Sequence, residues 1–327
     1  MNLETLAIGS ERLSKDLREA ATTITTGQAR YLVDYYYQMQ DARIRSGNQG
    51  RQEEGPSGWV DYVHSQQAML EGHIRTALGI YSNNSELGQW ARSITGIGPV
   101  IAAGLLAHID ITRTPNAGAL WRYAGYDPTL VWLGKEKSKQ LVDELVEKSA
   151  VTDEELVLVA EGANRNPLLL RNLAMAPKPN GKVPKKLTKD LLKAALARRP
   201  WNAQLKVLCW KLGESFVKVQ NNENDYYGKQ YVERREKEEL RNAAGENEAH
   251  AKAKAKQVGK ATEAYKFYSD GKLPPAHVYA RAKRWTVKLF LSHYHHVGYE
   301  VEHGEPPARP WVIVQGGHSE FIPPPNW

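Results

Sequence analysis

Apolar residues recur every three or four positions along almost the whole chain, which predicts helix after helix and very little strand. Over residues 13–44, Tyr31, Tyr35, Met39 and Ala42 share one helical face. Residues 46–58, rich in glycine, serine and charge, predict a loop. A second helix over residues 59–81 carries Val63, Met69, Leu70, Ile74 and Leu78, and two such helices form an antiparallel hairpin. Further helices are predicted over 153–161, opened by a capping box of Thr152 and Glu155, and over 168–174, 187–198 and 201–219. A long mixed-charge helix is predicted over 231–260 and a basic one over 278–296. Strand-like alternation appears only at 311–314, and the proline-rich chain from Pro306 is expected to lie extended over the surface. The fold class is therefore all-α, with a short irregular or β tail.

One stretch interrupts this pattern: Ile94-Thr-Gly-Ile-Gly-Pro-Val-Ile-Ala-Ala-Gly-Leu-Leu-Ala107. Gly96 and Gly98 allow a tight turn and leave amides uncovered. Pro99 suits the first turn of a following helix, where its missing N–H is no loss. Amides at the positive end of that helix would seat a phosphate, so the stretch reads as a helix-hairpin-helix that grips backbone and reads no bases. A dinucleotide loop needs a third glycine or alanine where Ile101 stands, and a strand before it. Residues 87–93 read instead as helix end and loop. A plain packing corner between helices is the remaining alternative.

The chain continues Ala107-His-Ile-Asp-Ile-Thr-Arg-Thr-Pro-Asn-Ala-Gly-Ala-Leu-Trp-Arg-Tyr-Ala-Gly-Tyr-Asp-Pro128. With Gly96-Ile-Gly98 ahead of Tyr123-Ala-Gly-Tyr-Asp-Pro128, it resembles the C-terminal domain of DEDD-type insertion-sequence transposases, the bridge-RNA-guided recombinase class. The resemblance covers some forty residues and implies binding to nucleic acid. It departs from that pattern elsewhere. Such transposases carry an N-terminal RuvC-like domain with four Mg²⁺-binding carboxylates, whereas residues 1–90 read as two long helices. Their serine lies in a Ser/Gly-rich stretch shortly after an Ala-Gly-Leu-x-Pro motif, the place that Ala124-Gly-Tyr-Asp-Pro128 takes here. The stretch after it holds Thr129-Leu-Val-Trp-Leu-Gly-Lys-Glu-Lys-Ser138, which lacks the Ser/Gly pattern and leaves Ser138 as the candidate nucleophile.

Composition changes this picture little. The 327-residue chain carries net charge +7, which favours a polyanionic partner. A single cysteine, Cys209, allows no internal disulfide, and no apolar run reaches membrane length or resembles a signal peptide. A cytoplasmic protein without membrane contact is expected. Nine tryptophans and sixteen tyrosines against four phenylalanines suit half-wet surfaces, base-stacking platforms among them, although helix seams use the same rings. Four segments are expected: 1–86, a helical hairpin; 87–134, the nucleic-acid-binding hairpin domain; 135–200, an inserted helical subdomain with a helix-turn-helix outline and a basic loop; and 201–327, a C-terminal domain with a basic helix and a proline-rich tail.

The expected function is a transposase-like protein that binds DNA first and RNA second, without intact transposase catalysis and with homo-oligomerisation left open. Gly96, Ile97, Gly98, Val100 and Ile101 would present amides to a phosphate flanked by Arg92, Arg113 and Arg122. Lys185 and Lys186, in the basic loop, and Arg281, Arg284 and Lys288, on the late helix, would contact backbone further along. No cofactor is expected in this reading. A metal-dependent recombinase or nuclease is the second reading, with Mg²⁺ at Asp110, Asp127 or Glu136, although no two of these form a two-metal carboxylate pair. His293 and His296 are metal candidates at helical spacing, needing Glu300, Glu302, His303 or His318 to complete a site. A structural or assembly protein with no nucleic-acid role is the third.

Overall fold

The computed structural model describes residues 12–52, 58–177, 180–309 and 321–327. These form fifteen α-helices: α1 (Lys15–Ala21), α2 (Thr26–Gly50), α3 (Gly58–Asn83), α4 (Glu86–Ser93), α5 (Pro99–His108), α6 (Ala117–Tyr123), α7 (Gly134–Leu145), α8 (Asp153–Gly162), α9 (Pro167–Ala174), α10 (Lys189–Leu196), α11 (Ala203–Val219), α12 (Tyr227–Ala243), α13 (Glu248–Ala255), α14 (Glu263–Ser269) and α15 (Pro275–His303). A 3-10 turn at Ile111–Arg113 follows α5, and the described residues hold no strand, only an isolated bridge between Ala150 and Thr188. The all-α class holds. No described helix is long and apolar enough to cross a membrane. The predicted alternation at 311–314 lies outside the described residues.

The chain divides into two compact units, one made of residues 118–206 and the other of the chain before and after it. In the larger unit, α2 and α3 form the expected antiparallel hairpin and enclose one side of α5. Ala29, Val33 and Tyr36 meet Ile74, Leu78, Val100 and Ala103 there. Arg43 ties the far end of the hairpin to the buried Glu71 at 2.6 Å. Helix α5 is apolar on nearly every side, as a helix enclosed by others must be. Helix α15 is the second axis. Its Phe290 stacks on Trp90 of α4 at 5.9 Å, while Phe216 stacks on Tyr227 at 4.8 Å beside it.

Several boundaries differ from the expected ones, each for a visible reason. The helix expected over 13–44 breaks at residues 22–25, where Thr25 and Gln28 form a capping box that starts α2 afresh. Residues 46–50, expected as loop, continue α2 because Ser46 hydrogen-bonds Gln67 at 2.8 Å and lies 3.2 Å from the His64 ring on α3. Residues 87–93, expected as helix end and loop, are the body of α4, capped by the Ser85 hydroxyl. The single helix expected over 231–260 is two, α12 and α13, separated at Gly245, whose φ of +86° ends the first. The described part of the tail is docked as well as extended. Trp90 donates to the Pro325 carbonyl at 2.8 Å, and Trp327 donates to Glu300 at 2.9 Å.

In the smaller unit, Val142, Val146, Leu156, Val159, Leu170, Leu192 and Leu196 make one core from α7 to α10. The Thr152–Glu155 capping box is present, with both of its reciprocal bonds (3.2 and 2.8 Å).

Candidate nucleic-acid interface

Helix α4, the turn at 94–98 and α5 position the glycine-rich stretch. The Ile94 and Ile97 side chains are buried and anchor the turn from beneath. The Ile97 amide donates to the Ile94 carbonyl at 3.0 Å, so it is used within the turn. Gly96 sits at φ +93°, a region that L side chains rarely enter. A Cβ there would also meet Val219 at 3.1 Å. Its carbonyl accepts from Ser215 at 2.5 Å, and Thr95 donates to the Asn224 carbonyl at 3.0 Å. Gly96 therefore faces α11 and the chain after it.

Gly98 is the outward end. It is exposed, extended at φ −86° and ψ 176°, and a Cβ on it would meet nothing within 4 Å. It stands at the N-cap of α5 and has no side chain to cap the helix, so the amides of Val100 and Ile101 lack the partner a serine or aspartate would supply. Pro99 at the first helical position has no amide. The positive end of a ten-residue helix thus opens at Gly98. It is the place in this segment where an anion has both room and donors.

The basic residues expected around it are differently engaged. Arg92 donates to the Gly79 carbonyl at 3.1 Å, holding α4 to the end of α3. Arg113 is exposed on the 3-10 turn. Arg122 belongs to the smaller unit, where it pairs with Asp127 at 3.4 Å. Lys185 and Lys186 are exposed before α10, also in the smaller unit. On α15, Arg281 lies 3.2 Å from the buried carboxylate of Glu238 and donates to Asn247 at 2.6 Å. Glu238 also pairs with Arg234 and, at 3.6 Å, with Arg241. Arg284 is exposed and Lys288 half-buried on the same helix.

The groups considered for catalysis are placed as local structure. Asp110 accepts from the Thr112 amide at 3.1 Å and hydroxyl at 2.6 Å, and Asp127 repeats this with Thr129 at 2.9 and 2.7 Å. Both are turn caps, and they belong to different units. Glu136 is exposed in the first turn of α7. Ser138 is fully buried, and its Oγ has no hydrogen-bond partner among the described residues.

His293 is buried between Tyr227, whose hydroxyl lies 2.7 Å from Nδ1, and the Ile322 carbonyl, 2.9 Å from Nε2. The carbonyl can only accept, so Nε2 carries the proton and Nδ1 accepts from the tyrosine. Burial pushes this ring down to about 4, and both its nitrogens are occupied in the neutral state. His296 stands 3.6 Å from Glu300. Among the described residues no group of three ligand-type side chains gathers to hold a metal, and His318 lies outside them.

Residues 88–142 match the model of the Transposase IS116/IS110/IS902 family. The match takes in most of α4, the turn, α5, α6 and most of α7, so this segment is similar to that transposase family. No curated protein and no solved structure matches the chain.

Proposed function

We propose that α4, the turn and α5 form a helix-hairpin-helix that grips the phosphate backbone of nucleic acid, duplex DNA first, in a transposase-related protein that does not itself carry transposase catalysis. The observation that carries this reading is the uncapped, open N-terminus of α5 at Gly98, set within a segment similar to a transposase family. A phosphate there would accept from the Val100 and Ile101 amides and lie along the helix dipole. Contacts of this kind hold the backbone without reading sequence. The buried, unpartnered Ser138 and the turn-capping Asp110 and Asp127 support a binding role over a catalytic one.

Hydrogen exchange read by mass spectrometry tests the placement. Adding duplex DNA at low salt is expected to slow exchange in peptides covering residues 98–103. Protection confined to other segments would remove the hairpin from the interface.

A further inference from the structure

The smaller unit contains a cavity of about 520 Å³ that the hairpin reading does not use. Among the described residues three arginines line it, Arg122, Arg165 and Arg199, and no carboxylate does. Its walls also include Tyr123, Trp201 and Asn202.

The backbone fixes Arg165 from both sides. Asn164 adopts φ +51° and closes α8, with the Arg165 amide donating back to the Ala160 carbonyl at 2.8 Å. Asn166 then caps α9 through its side chain. Held this way, the Arg165 guanidinium is enclosed at Nε and Nη2, and neither nitrogen has a hydrogen-bond partner among the described residues. Burial, reinforced by the neighbouring Arg122 guanidinium, pushes its pKa down. An arginine nonetheless stays protonated in a protein. A half-buried cation with two enclosed, empty donors is unfavourable unless an anion completes it, and buried polar groups in native proteins are almost always paired.

The other walls are held in place without filling the donors. Arg199 lies over the Trp132 ring at 5.0 Å, and Trp132 donates to the Ala197 carbonyl at 2.8 Å. Asn202 donates to the Tyr123 hydroxyl at 2.8 Å. Trp201 is pressed against the left-handed Gly125, where a Cβ would stand 2.7 Å from its ring.

We propose that this cavity is an anion site that takes a phosphate group, bound by a two-pronged contact from Nε and Nη2 of Arg165, with Arg122 and Arg199 at its mouth. A guanidinium presents two parallel N–H groups at the spacing of two phosphate oxygens, which a lysine cannot do. Leu169 and Leu173 on the lining, with Tyr123, offer apolar surface beside the charge, suited to the sugar or base next to a strand phosphate. The site goes beyond the hairpin: it lies wholly within residues 118–206 and stands or falls without it.

Calorimetric titration of the full-length protein with inorganic phosphate, and with a short single-stranded oligonucleotide with and without a 5′-phosphate, tests the proposal. Phosphate is expected to bind and to raise the melting temperature, as any ligand of the folded state must. Arg165→Leu is expected to weaken phosphate at least tenfold and to melt no lower than the parent, because it removes two enclosed donors that have no partner among the described residues. Arg171→Leu, in the same unit but paired with Asp153, is expected to bind phosphate as the parent does. Should Arg165→Leu not fold, Arg199→Ala at the exposed mouth provides the second variant, with a severalfold loss expected. Tighter binding of the phosphorylated strand than of phosphate identifies a nucleic-acid end or backbone as the source, and equal binding identifies free phosphate. No binding of either to the folded parent, or unchanged binding in Arg165→Leu, overturns the proposal.

Discussion

Gly98→Asp is expected to lower affinity for duplex DNA by about thirtyfold, roughly 2 kcal/mol, while leaving the fold intact. The two effects have separate causes. At φ −86° and ψ 176° an aspartate fits the N-cap of α5 without strain, and no atom lies within 4 Å of its Cβ. Its carboxylate would accept from the Val100 or Ile101 amide, which changes stability by only a few tenths of a kcal/mol, in the stabilising direction. The same carboxylate occupies the donors a phosphate would use and repels the next strand phosphate. Gly96→Val would be a poor substitute, since a positive φ and the nearby Val219 make it a folding variant. Anisotropy with labelled duplex, alongside thermal melts, separates the outcomes. Unchanged affinity in a folded Gly98→Asp protein would place the interface elsewhere.

The second large effect is on stability against pH. His293 and His108 are both buried, and both are pushed down to about 4, His293 by burial and His108 by burial with Arg30 adding to it. An unfolded histidine protonates near its ordinary value of 6.5. Between the two values the unfolded chain binds more protons, so stability rises with pH across that window. The contribution is present in full above about 6.5 and is lost as pH falls toward 4. Each histidine has given up on the order of 1 kcal/mol by pH 5.5 and about 3 kcal/mol by pH 4. Melting temperatures are therefore expected to fall by several degrees between pH 7 and pH 5, with a shallower fall in His293→Gln. An equal fall in that variant would mean that His293 already accepts a proton in the folded protein.

The glycine turn was legible in the sequence because its cause is local. Two glycines and a proline dictate a backbone shape whatever surrounds them, and the Thr152–Glu155 capping box is legible for the same reason. Other features depend on partners distant in the chain. Residues 46–50 have loop composition, yet they stay helical because α3 supplies His64 and Gln67 to Ser46. The break in the 231–260 run was signalled by Gly245 but masked by the alanines and charges around it. On α15 the sequence showed cations alternating with apolar residues. It did not show that Glu238, over forty residues earlier, neutralises Arg281, or that Glu214 pairs with Lys283. Arg165 is not legible in the sequence for the opposite reason. Its neighbours in sequence are asparagines of a turn, and its distinction is that Nε and Nη2 of its guanidinium are enclosed with no hydrogen-bond partner among the described residues.

The most direct test of backbone gripping is the affinity of the unmodified protein for duplex, four-way-junction and structured-RNA probes along a ladder of salt. Binding is expected at low salt and falls linearly in log Kobs against log salt, with a slope of about −2 or steeper, since each phosphate contact releases about one counterion. Absence of binding to every probe at low salt, or affinity indifferent to salt, would contradict it and leave the glycine turn as a packing corner between two helices.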